Sequence, residues 1–390
     1  MVNLVLNIIG FILIIKWFRN HLKEYKELTN KLNFFKFNRF KSVIITAILV
    51  LLPLIFINFT NFEENNHFSK EYLSDNKALF SVVVSFLISF VWLIYIYSLD
   101  IFNKEKKRNI ILIIFLASVL TSFAEIPYQF IHSLGFTDAK NPLDSFIYSV
   151  FGIGLIEESV KFIPLVFILW FTKAIDEPYD YILYASASAL GFSFVENAMY
   201  LNQHGLEIIS ARALYATVAH MTFSSMIAYG LFLIKFKRTK IPALIVFLFF
   251  YFLAIFSHGF YDFWLINKAV SAFNGLTTIF FLTTVHIWFS MKNNTLNASN
   301  FYNKEKTINN DRLKIFLSIS LMSILMFSYV FVALKWNSKV ANTFFVRSVF
   351  VYGYIIFYLI ATLSKFNLIQ DFIKPFKMSF SYLIPRKKRK

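Results

Sequence analysis

Cysteine is absent from this 390-residue sequence, and glycine is scarce, with ten residues against 51 phenylalanines. The lack of cysteine excludes disulfides, thiolate zinc sites and a cysteine nucleophile. Charged residues are also few. They make up 16% of the chain, whereas a soluble domain averages about 25%. The sequence therefore leaves no room for a large soluble domain.

Apolar segments are abundant instead, since 57% of the residues are hydrophobic and the mean hydropathy is +0.59. A bilayer core about 30 Å thick needs about 20 apolar residues in a helix. We therefore predict an all-α fold, a polytopic membrane helix bundle of about eleven transmembrane helices. The predicted spans are 3–18, 42–59, 78–99, 109–127, 144–172, 181–202, 208–234, 241–265, 270–290, 314–334 and 347–363. Basic residues follow the first span rather than precede it, so we interpret that span as a retained anchor.

Lysine and arginine outnumber the acidic residues by 39 to 22 and are unevenly distributed between loops. One alternating set of loops holds 29 of them and the other set holds 7. The positive-inside rule places the richer set in the cytoplasm, with the N-terminus outside and the C-terminus inside. The basic tail at 385–390 then predicts contact with anionic lipid, and we expect no nucleic-acid partner.

Ionisable residues are concentrated in the fifth to eighth predicted spans. A charge at the bilayer centre costs about 2.5–3.5 kcal/mol on insertion scales, so we expect these residues to meet in one functional site. They are Glu157, Glu158, Lys161, Glu196, Arg212, His220, His258 and Asp262. We accordingly divide the chain into N-terminal helices one to four (1–140), catalytic-core helices five to eight (141–268), and C-terminal helices nine to eleven with a basic cytoplasmic tail (269–390).

The fifth span carries the motif Glu157-Glu158-x-x-Lys161. Residues three and four apart share a helix face, so Lys161 can pair with either carboxylate. Such pairing neutralises one glutamate and leaves the other for acid–base chemistry. The alternative is a purely structural ion pair within the helix.

The sixth span places Glu196 and Asn197 after a run of small residues at 185–191. Small residues let helix backbones approach closely, which would bring Glu196 near the glutamate pair. The amide of Asn197 can donate hydrogen bonds to a ligand or a neighbouring carboxylate. A polar packing contact is the alternative for Glu196.

Histidines occupy the next two spans, His220 in the seventh and His258 in the eighth. Asp262 follows His258 by one helical turn, so the imidazole and the carboxylate share a face, as in helical metal-binding pairs. Asp262 can also act indirectly, by orienting the imidazole. An ordinary interhelical hydrogen bond is the alternative for each histidine.

The order of these motifs resembles the PrsW family of membrane proteases and, more distantly, the CAAX prenyl endopeptidases. The motifs are Glu157-Glu158-x-x-Lys161, Phe192-x-x-x-Glu196-Asn197, His220 and His258-x-x-x-Asp262, within residues 150–265. The resemblance implies an intramembrane protease of the bacterial cytoplasmic (inner) membrane. It implies substrates that are membrane-embedded or membrane-adjacent proteins, with anti-sigma factors as one class. Where the CAAX-type relatives have histidine, this chain has Glu196.

With that resemblance, we predict that Glu157 is the general base that activates water, with Glu158 and Lys161 adjusting its basicity. His220, His258 and Asp262 are predicted to bind a divalent metal, zinc being favoured, with Glu196 as a further ligand or a partner of a ligand. In a metal-free, glutamate-dependent version, the two histidines instead stabilise an oxyanion. A non-catalytic scaffold of the same superfamily and a proton- or ion-coupled transporter are the alternative functions.

The predicted topology can be tested with reporter fusions. Fusions after residues 30, 105 and 238 should report the cytoplasm, and a fusion after residue 68 should report the exterior, because charge bias sets orientation. An exterior signal from the fusion after residue 238 would contradict the arrangement of spans.

Overall fold

A computed structural model of the protein describes residues 9, 37–59, 72–135, 141–237, 241–306, 310–366 and 368–373. Within these ranges every regular element is helical, and no β-strand occurs. Three predicted features lie outside the described residues: nearly all of the first span at 3–18, the acidic loop at 63–71 and the basic tail at 385–390.

The helices follow one another with short connections. They are α1 (Phe37–Phe59), α2 (Lys77–Leu99), α3 (Lys107–Ser122), α4 (Glu125–Ser133), α5 (Pro142–Ile147), α6 (Leu155–Phe171), α7 (Pro178–His204), α8 (Ile209–Ala211), α9 (Thr217–Lys237), α10 (Ala243–Ile266), α11 (Gly275–Asn297), α12 (Asn310–Lys335) and α13 (Ser338–Leu363). Two π-helical segments join consecutive helices: Tyr148–Gly154 leads from α5 into α6, and Arg212–Ala216 leads from α8 into α9.

Six helical stretches of the described chain are long and apolar enough to cross a membrane. They are Lys77–Leu99, Lys107–Ser133, Leu206–Phe236, Ala243–Ile266, Asp311–Lys335 and Ser338–Leu363. The predicted spans 144–172, 181–202 and 270–290 are also largely helical, but charged or hydroxyl side chains make them less apolar. The all-α membrane fold is thus confirmed and the protein is an integral membrane protein, while the number of about eleven spans stays a prediction.

Helix α7 is the centre of the bundle and packs against α2, α3 and α9. Its residues from Pro178 to Ser193 are buried without interruption. The small side chains at 185–191 allow this contact, since a Cβ atom at Gly191 would collide with the carbonyl oxygen of Ile114 on α3. Ser118 on α3 donates a hydrogen bond of 3.0 Å to the carbonyl oxygen of Gly191. The small-residue run thus permits the close helix approach that the sequence predicted.

The beginning of α7 is fixed by a capping box. The side chain of Glu177 accepts from the backbone of the third helical residue, Asp180, whose own side chain accepts from the backbone N–H of Glu177 at 2.7 Å. Pro178 occupies the first helical turn, where its missing N–H costs nothing. Since α7 begins at a defined residue, its later positions are held in register with the helices around it.

The π-helical segment at Tyr148–Gly154 lies against α10 at backbone contact distance. A Cβ atom at Gly154 would lie 2.6 Å from the carbonyl oxygen of Ile255. A Cβ atom at Gly259 would lie 2.6 Å from the carbonyl oxygen of Ser149. Only glycine fits at either position, and the crossing brings the start of α6 beside the middle of α10.

This crossing predicts that Gly259→Ala destabilises the protein. Overpacking of this kind should lower the free energy of unfolding by about 1–3 kcal/mol. Gly353→Ala is the matched control, because the nearest atom to its added Cβ would be Val349 Cγ1 at an ordinary 3.7 Å. That change should be neutral or stabilising by up to about 1 kcal/mol. Unfolding in detergent micelles measures both, and equal stability of the two variants would contradict the packing argument.

Candidate active site

The ammonium group of Lys161 lies at the centre of a buried polar network. It is 2.9 Å from Glu158 Oε1 and 3.4 Å from Glu157 Oε2, both on its own helix α6. It also lies 2.9 Å from Nδ1 of His220 on α9, and 4.2 Å from the ring centre of Phe192 on α7. A lysine this enclosed must be paired, and here two carboxylates supply the opposite charge.

Glu158 is the more enclosed of the two glutamates, and its side chain is 0% exposed. One oxygen, Oε1, accepts from Lys161 and lies 2.8 Å from Nδ1 of His258. The other, Oε2, accepts a hydrogen bond of 2.8 Å from Ser224 on α9. All its oxygens are therefore engaged, and Glu158 orients its neighbours rather than facing an open space.

Glu157 is on the more accessible side of α6. Its Oε1 accepts a hydrogen bond of 2.8 Å from the hydroxyl of Tyr128 on α4. Its Oε2 lies 3.3 Å from Nε2 of His258. With a side chain 8% exposed, this carboxylate borders the opening of the site.

His258 has its two ring nitrogens in different surroundings. The 2.8 Å distance from Nδ1 to Glu158 indicates that this nitrogen carries a proton and donates it. In the neutral ring, Nε2 then bears a lone pair, yet it faces two carboxylates at 3.3 Å, those of Glu157 and Asp262. A lone pair facing two anions is repulsive, so a cation is required at this point, either a proton on Nε2 or a metal ion.

Glu196 on α7 belongs to a second part of the network. It accepts a very short hydrogen bond from the guanidinium of Arg212 and lies 2.8 Å from Nε2 of His220. Since Nδ1 of His220 accepts from Lys161, its Nε2 is the donor to Glu196. His220 therefore links the two halves of the site.

Asn197 holds the arginine in place rather than facing the glutamates of α6. Its Oδ1 accepts a hydrogen bond of 2.6 Å from Arg212 Nε. Its Nδ2 donates to Ser193 at 3.1 Å and to Thr217 at 3.0 Å. The buried amide is fully satisfied within the protein, and its contacts are structural ones around Arg212.

Glu157, His220 and His258 form a set that fits a divalent metal ion. One possible ligand atom from each lies within 4.8 Å of the others, and all three residues are buried. A carboxylate with two imidazoles is a known donor set for zinc. The 3.3 Å separation of Glu157 Oε2 and His258 Nε2 is close to the ~3.4 Å expected between two ligands of a tetrahedral zinc ion.

Asp262 and His220 relate differently to this set from what the sequence suggested. Asp262 reaches His258 at 3.3 Å and so offers a second carboxylate at the same nitrogen. His220 has both nitrogens occupied, by Lys161 and Glu196, and must release one partner to bind a metal. The structure thus surrounds His258 Nε2 with acceptors more directly than it does His220.

Exposure increases in one direction across the site. The side chains of Lys161 and Glu158 are 0% exposed, whereas those of Glu196 and Asp262 are 16% and 19% exposed. The accessible residues lie toward the end of α7 at His204 and the end of α10 at Ile266. The positive-inside rule assigns these ends to the exterior.

Sequence reasoning missed two hydrogen-bond donors to the glutamates. Ser224 lies one helical turn after His220, so helical spacing alone would have suggested that it shares the same face. Tyr128 carries no such signal. It belongs to the short helix α4, outside the four core spans, and only the packing of α4 onto Tyr148–Gly154 brings it to Glu157.

Fold and site together define a class, that of polytopic helical membrane proteins with a buried carboxylate–imidazole centre. The family model described as "PrsW family intramembrane metalloprotease" matches residues 106–291. A protein named Protease PrsW from Oceanobacillus iheyensis is 30% identical over 184 residues, which cover 46% of this chain and 81% of the relative. The Geobacillus kaustophilus protein of the same name is 31% identical over 178 residues, 45% of this chain and 74% of the relative.

A third relative, Protease PrsW of Bacillus subtilis, is 30% identical over 147 residues, which cover 37% of this chain and 65% of the relative. No solved structure matches the chain. The chain belongs to the PrsW family of intramembrane metalloproteases. This confirms the family that the motif order resembled, and the membrane protease class with it.

The buried pair of Glu196 and Arg212 predicts a large cost for Glu196→Gln. The change leaves a guanidinium that is only 12% exposed without its carboxylate, and such a loss costs about 3–5 kcal/mol of unfolding free energy. Replacing both residues, as in Glu196→Gln with Arg212→Met, should restore part of it. Thermal unfolding in detergent provides the measurement.

The control for that experiment is Glu207→Gln. Glu207 pairs with Lys335 at 3.1 Å, but the lysine side chain is 48% exposed. An exposed pair contributes about 0–1 kcal/mol. A Glu196→Gln protein as stable as the Glu207→Gln protein would show that the inner pair is not a buried one.

Proposed function

We propose that the protein is an endopeptidase that hydrolyses peptide bonds of membrane-embedded or membrane-adjacent proteins. The single observation that carries the proposal is the pair of unequal glutamates on α6. Glu158 is enclosed and fully hydrogen-bonded, while Glu157 lies at the accessible edge beside His258. One carboxylate is thus structural and the other is available to take a proton from water.

Glu157 acts as the general base in this proposal. Tyr128 donates to one of its oxygens at 2.8 Å, which fixes the carboxylate and leaves Oε2 directed toward His258. Glu158 and Lys161 act as positioning residues, because they hold His258 and His220 through contacts of 2.8 and 2.9 Å. Positioning of this kind is required for proton transfer, which needs heavy-atom distances of about 2.6–3.2 Å.

A divalent metal, with zinc favoured, would be held by His258 and Asp262, with His220 as a third donor. Such an ion supplies Lewis-acid polarisation of the scissile carbonyl. Two carboxylates lie at 3.3 Å from His258 Nε2, so Asp262 can serve the ion while Glu157 remains for water. Glu196 would then keep the role its contacts suggest, that of a partner to His220.

The position of Lys161 favours a metal-free version as the second candidate mechanism. Its ammonium lies 2.9 Å from Nδ1 of His220 and so already supplies a positive charge among the histidines. In that version Lys161, His220 and His258 would stabilise the oxyanion. This is the mechanism argued for the CAAX-type relatives, and we retain the distant relation to them as a proposal.

The substrate class rests on family membership and on the direction of exposure. The site opens toward the ends of α7 and α10, which the proposed topology places outside the cytoplasmic membrane. We therefore propose that substrates are membrane proteins cut near their outer boundary, with anti-sigma factors as one class. The non-catalytic scaffold and the ion-coupled transporter remain the rivals, and loss of cleavage on changing one glutamate separates them from a protease.

The catalytic proposal predicts that Glu157→Gln lowers the rate of cleavage by at least about a hundredfold. The change keeps size and hydrogen bonding but removes the base. Purified protein and a tagged single-span membrane substrate with an extracytoplasmic domain provide the assay. The control is Glu125→Gln, a change to an exposed glutamate that precedes Tyr128 on α4. Cleavage by the Glu157→Gln protein at the wild-type rate would exclude Glu157 as the base.

The division of roles between the two carboxylates predicts different metal contents. Elemental analysis should find one ion per chain in the Glu157→Gln protein and much less in the Asp262→Asn protein, because only the second loses a ligand. Metal lost from Glu157→Gln but retained by Asp262→Asn would exchange the two roles. Full activity of chelator-washed protein with well below one ion per chain would leave the metal-free mechanism.

A further inference from the structure

A second group of acidic side chains lies at the opposite end of α7 from Glu196. Asp100 follows the end of α2, and Glu177 and Asp180 form the capping box that begins α7. All three residues are 0% exposed. One carboxylate oxygen from each lies within 4.8 Å of the others.

Each of these carboxylates has one oxygen held by the protein. Asp100 Oδ2 accepts from the backbone N–H of Glu105 at 2.7 Å. Glu177 Oε2 accepts from Ser299 at 2.7 Å, and Asp180 Oδ2 accepts from the N–H of Glu177 at 2.7 Å. The bonds fix the three side chains in place from three different segments of the chain.

The other oxygen of each carboxylate has no hydrogen-bond partner. These atoms are Asp100 Oδ1, Glu177 Oε1 and Asp180 Oδ1, and all three are buried. A buried carboxylate oxygen without a partner is costly, and three of them close together repel one another. Burial accordingly raises the pKa of Asp100 to about 6 and that of Glu177 to about 7. The arrangement therefore lacks a positive charge at its centre.

We propose that Asp100, Glu177 and Asp180 bind a hard divalent cation, Ca²⁺ or Mg²⁺, that fastens the start of α7 to the loop after α2. Both ions take carboxylate oxygens as ligands. Two oxygens on one Ca²⁺ ion are at most about 4.8 Å apart when each bond is about 2.4 Å long, which matches the spread of the group. Imidazole and thiolate ligands, which favour zinc and copper, are absent from these three residues.

An entry route from solvent lies beside the site. Asp180 also belongs to a neighbouring group with Glu105 and Asp176, whose possible ligand atoms lie within 4.8 Å of one another. Asp176 is exposed and accepts from Asn103 at 2.9 Å. A cation can thus reach the buried oxygens along carboxylates, at the end of the bundle that the basic loops assign to the cytoplasm.

The bound ion would connect three segments that otherwise meet only through hydrogen bonds. They are the loop after α2, the capping box of α7 and, through Ser299, the residues that follow α11. Sixteen positions separate Asp180 from Glu196 on α7, so anchoring the start of the helix also sets the position of Glu196. The site is independent of the proposed protease chemistry, because it shares no residue with the centre around Lys161.

Calorimetric titration tests the proposal on full-length protein in detergent, freed of metal with a chelator. CaCl₂ and MgCl₂ are titrated separately. We expect uptake of one ion per chain and a rise in melting temperature for at least one of the two salts. Asp100→Asn, Glu177→Gln and Asp180→Asn should each weaken binding by about tenfold or more, since ligand charge sets the affinity for Ca²⁺. Each change keeps the hydrogen-bond acceptor that holds its side chain.

Two controls keep the outcome distinct from the catalytic site. Asp75→Asn removes an exposed carboxylate elsewhere and should bind as the wild type does. Glu157→Gln should also bind as the wild type does. Terbium(III), a luminescent ion similar in size to Ca²⁺, gives a readout that needs no variant, because added Ca²⁺ should displace it and abolish its emission.

Two results would overturn the proposal. One is a wild-type protein that takes up neither Ca²⁺ nor Mg²⁺ at neutral pH and shows no terbium emission that Ca²⁺ displaces. The other is binding that persists unchanged in all three carboxylate variants.

Discussion

The requirement that buried charge be neutralised inside the bundle determines how the core helices meet. Lys161 lies at the centre, and its ammonium is shared between two carboxylates and an imidazole. Every further charge is connected to it through a histidine: Glu196 and Arg212 through His220, and Asp262 through His258. Since none of these groups can face hydrocarbon cheaply, α6, α7, α9 and α10 have to converge on one point.

Close helix approach provides the room for that convergence. Small residues on α7 and glycines at the crossing with α10 let backbones touch one another. The two π-helical segments lie directly before α6 and α9, the helices that carry Glu157 and His220. Such segments are frequent at functional sites, because they shift the register of the residues that follow. Packing, register and charge are thus solved together at one level of the bundle.

The sequence predicted the fold class and the composition of the charged cluster well. Charge in hydrocarbon is so costly that eight ionisable residues in four consecutive spans have few arrangements open to them. Helical spacing identified the pairing of Lys161 with the glutamates and that of His258 with Asp262. It could not show which partner each nitrogen or oxygen takes, because that depends on distances of tenths of an ångström between helices. Tyr128 was beyond its reach for the same reason, since only tertiary packing brings α4 to Glu157.

The helix α4 also differs from the other walls of the site in how firmly it is held. It has nine residues and none of them is buried, whereas α7 contributes a long buried face. Local opening of a protein costs least where the fewest side chains are packed against the remainder. The wall that supplies the hydroxyl to Glu157 is therefore the one that separates from the site at the lowest free energy. A polypeptide arriving from the lipid would meet a lateral doorway there, and the same movement that admits it would release an oxygen of Glu157 from its hydrogen bond.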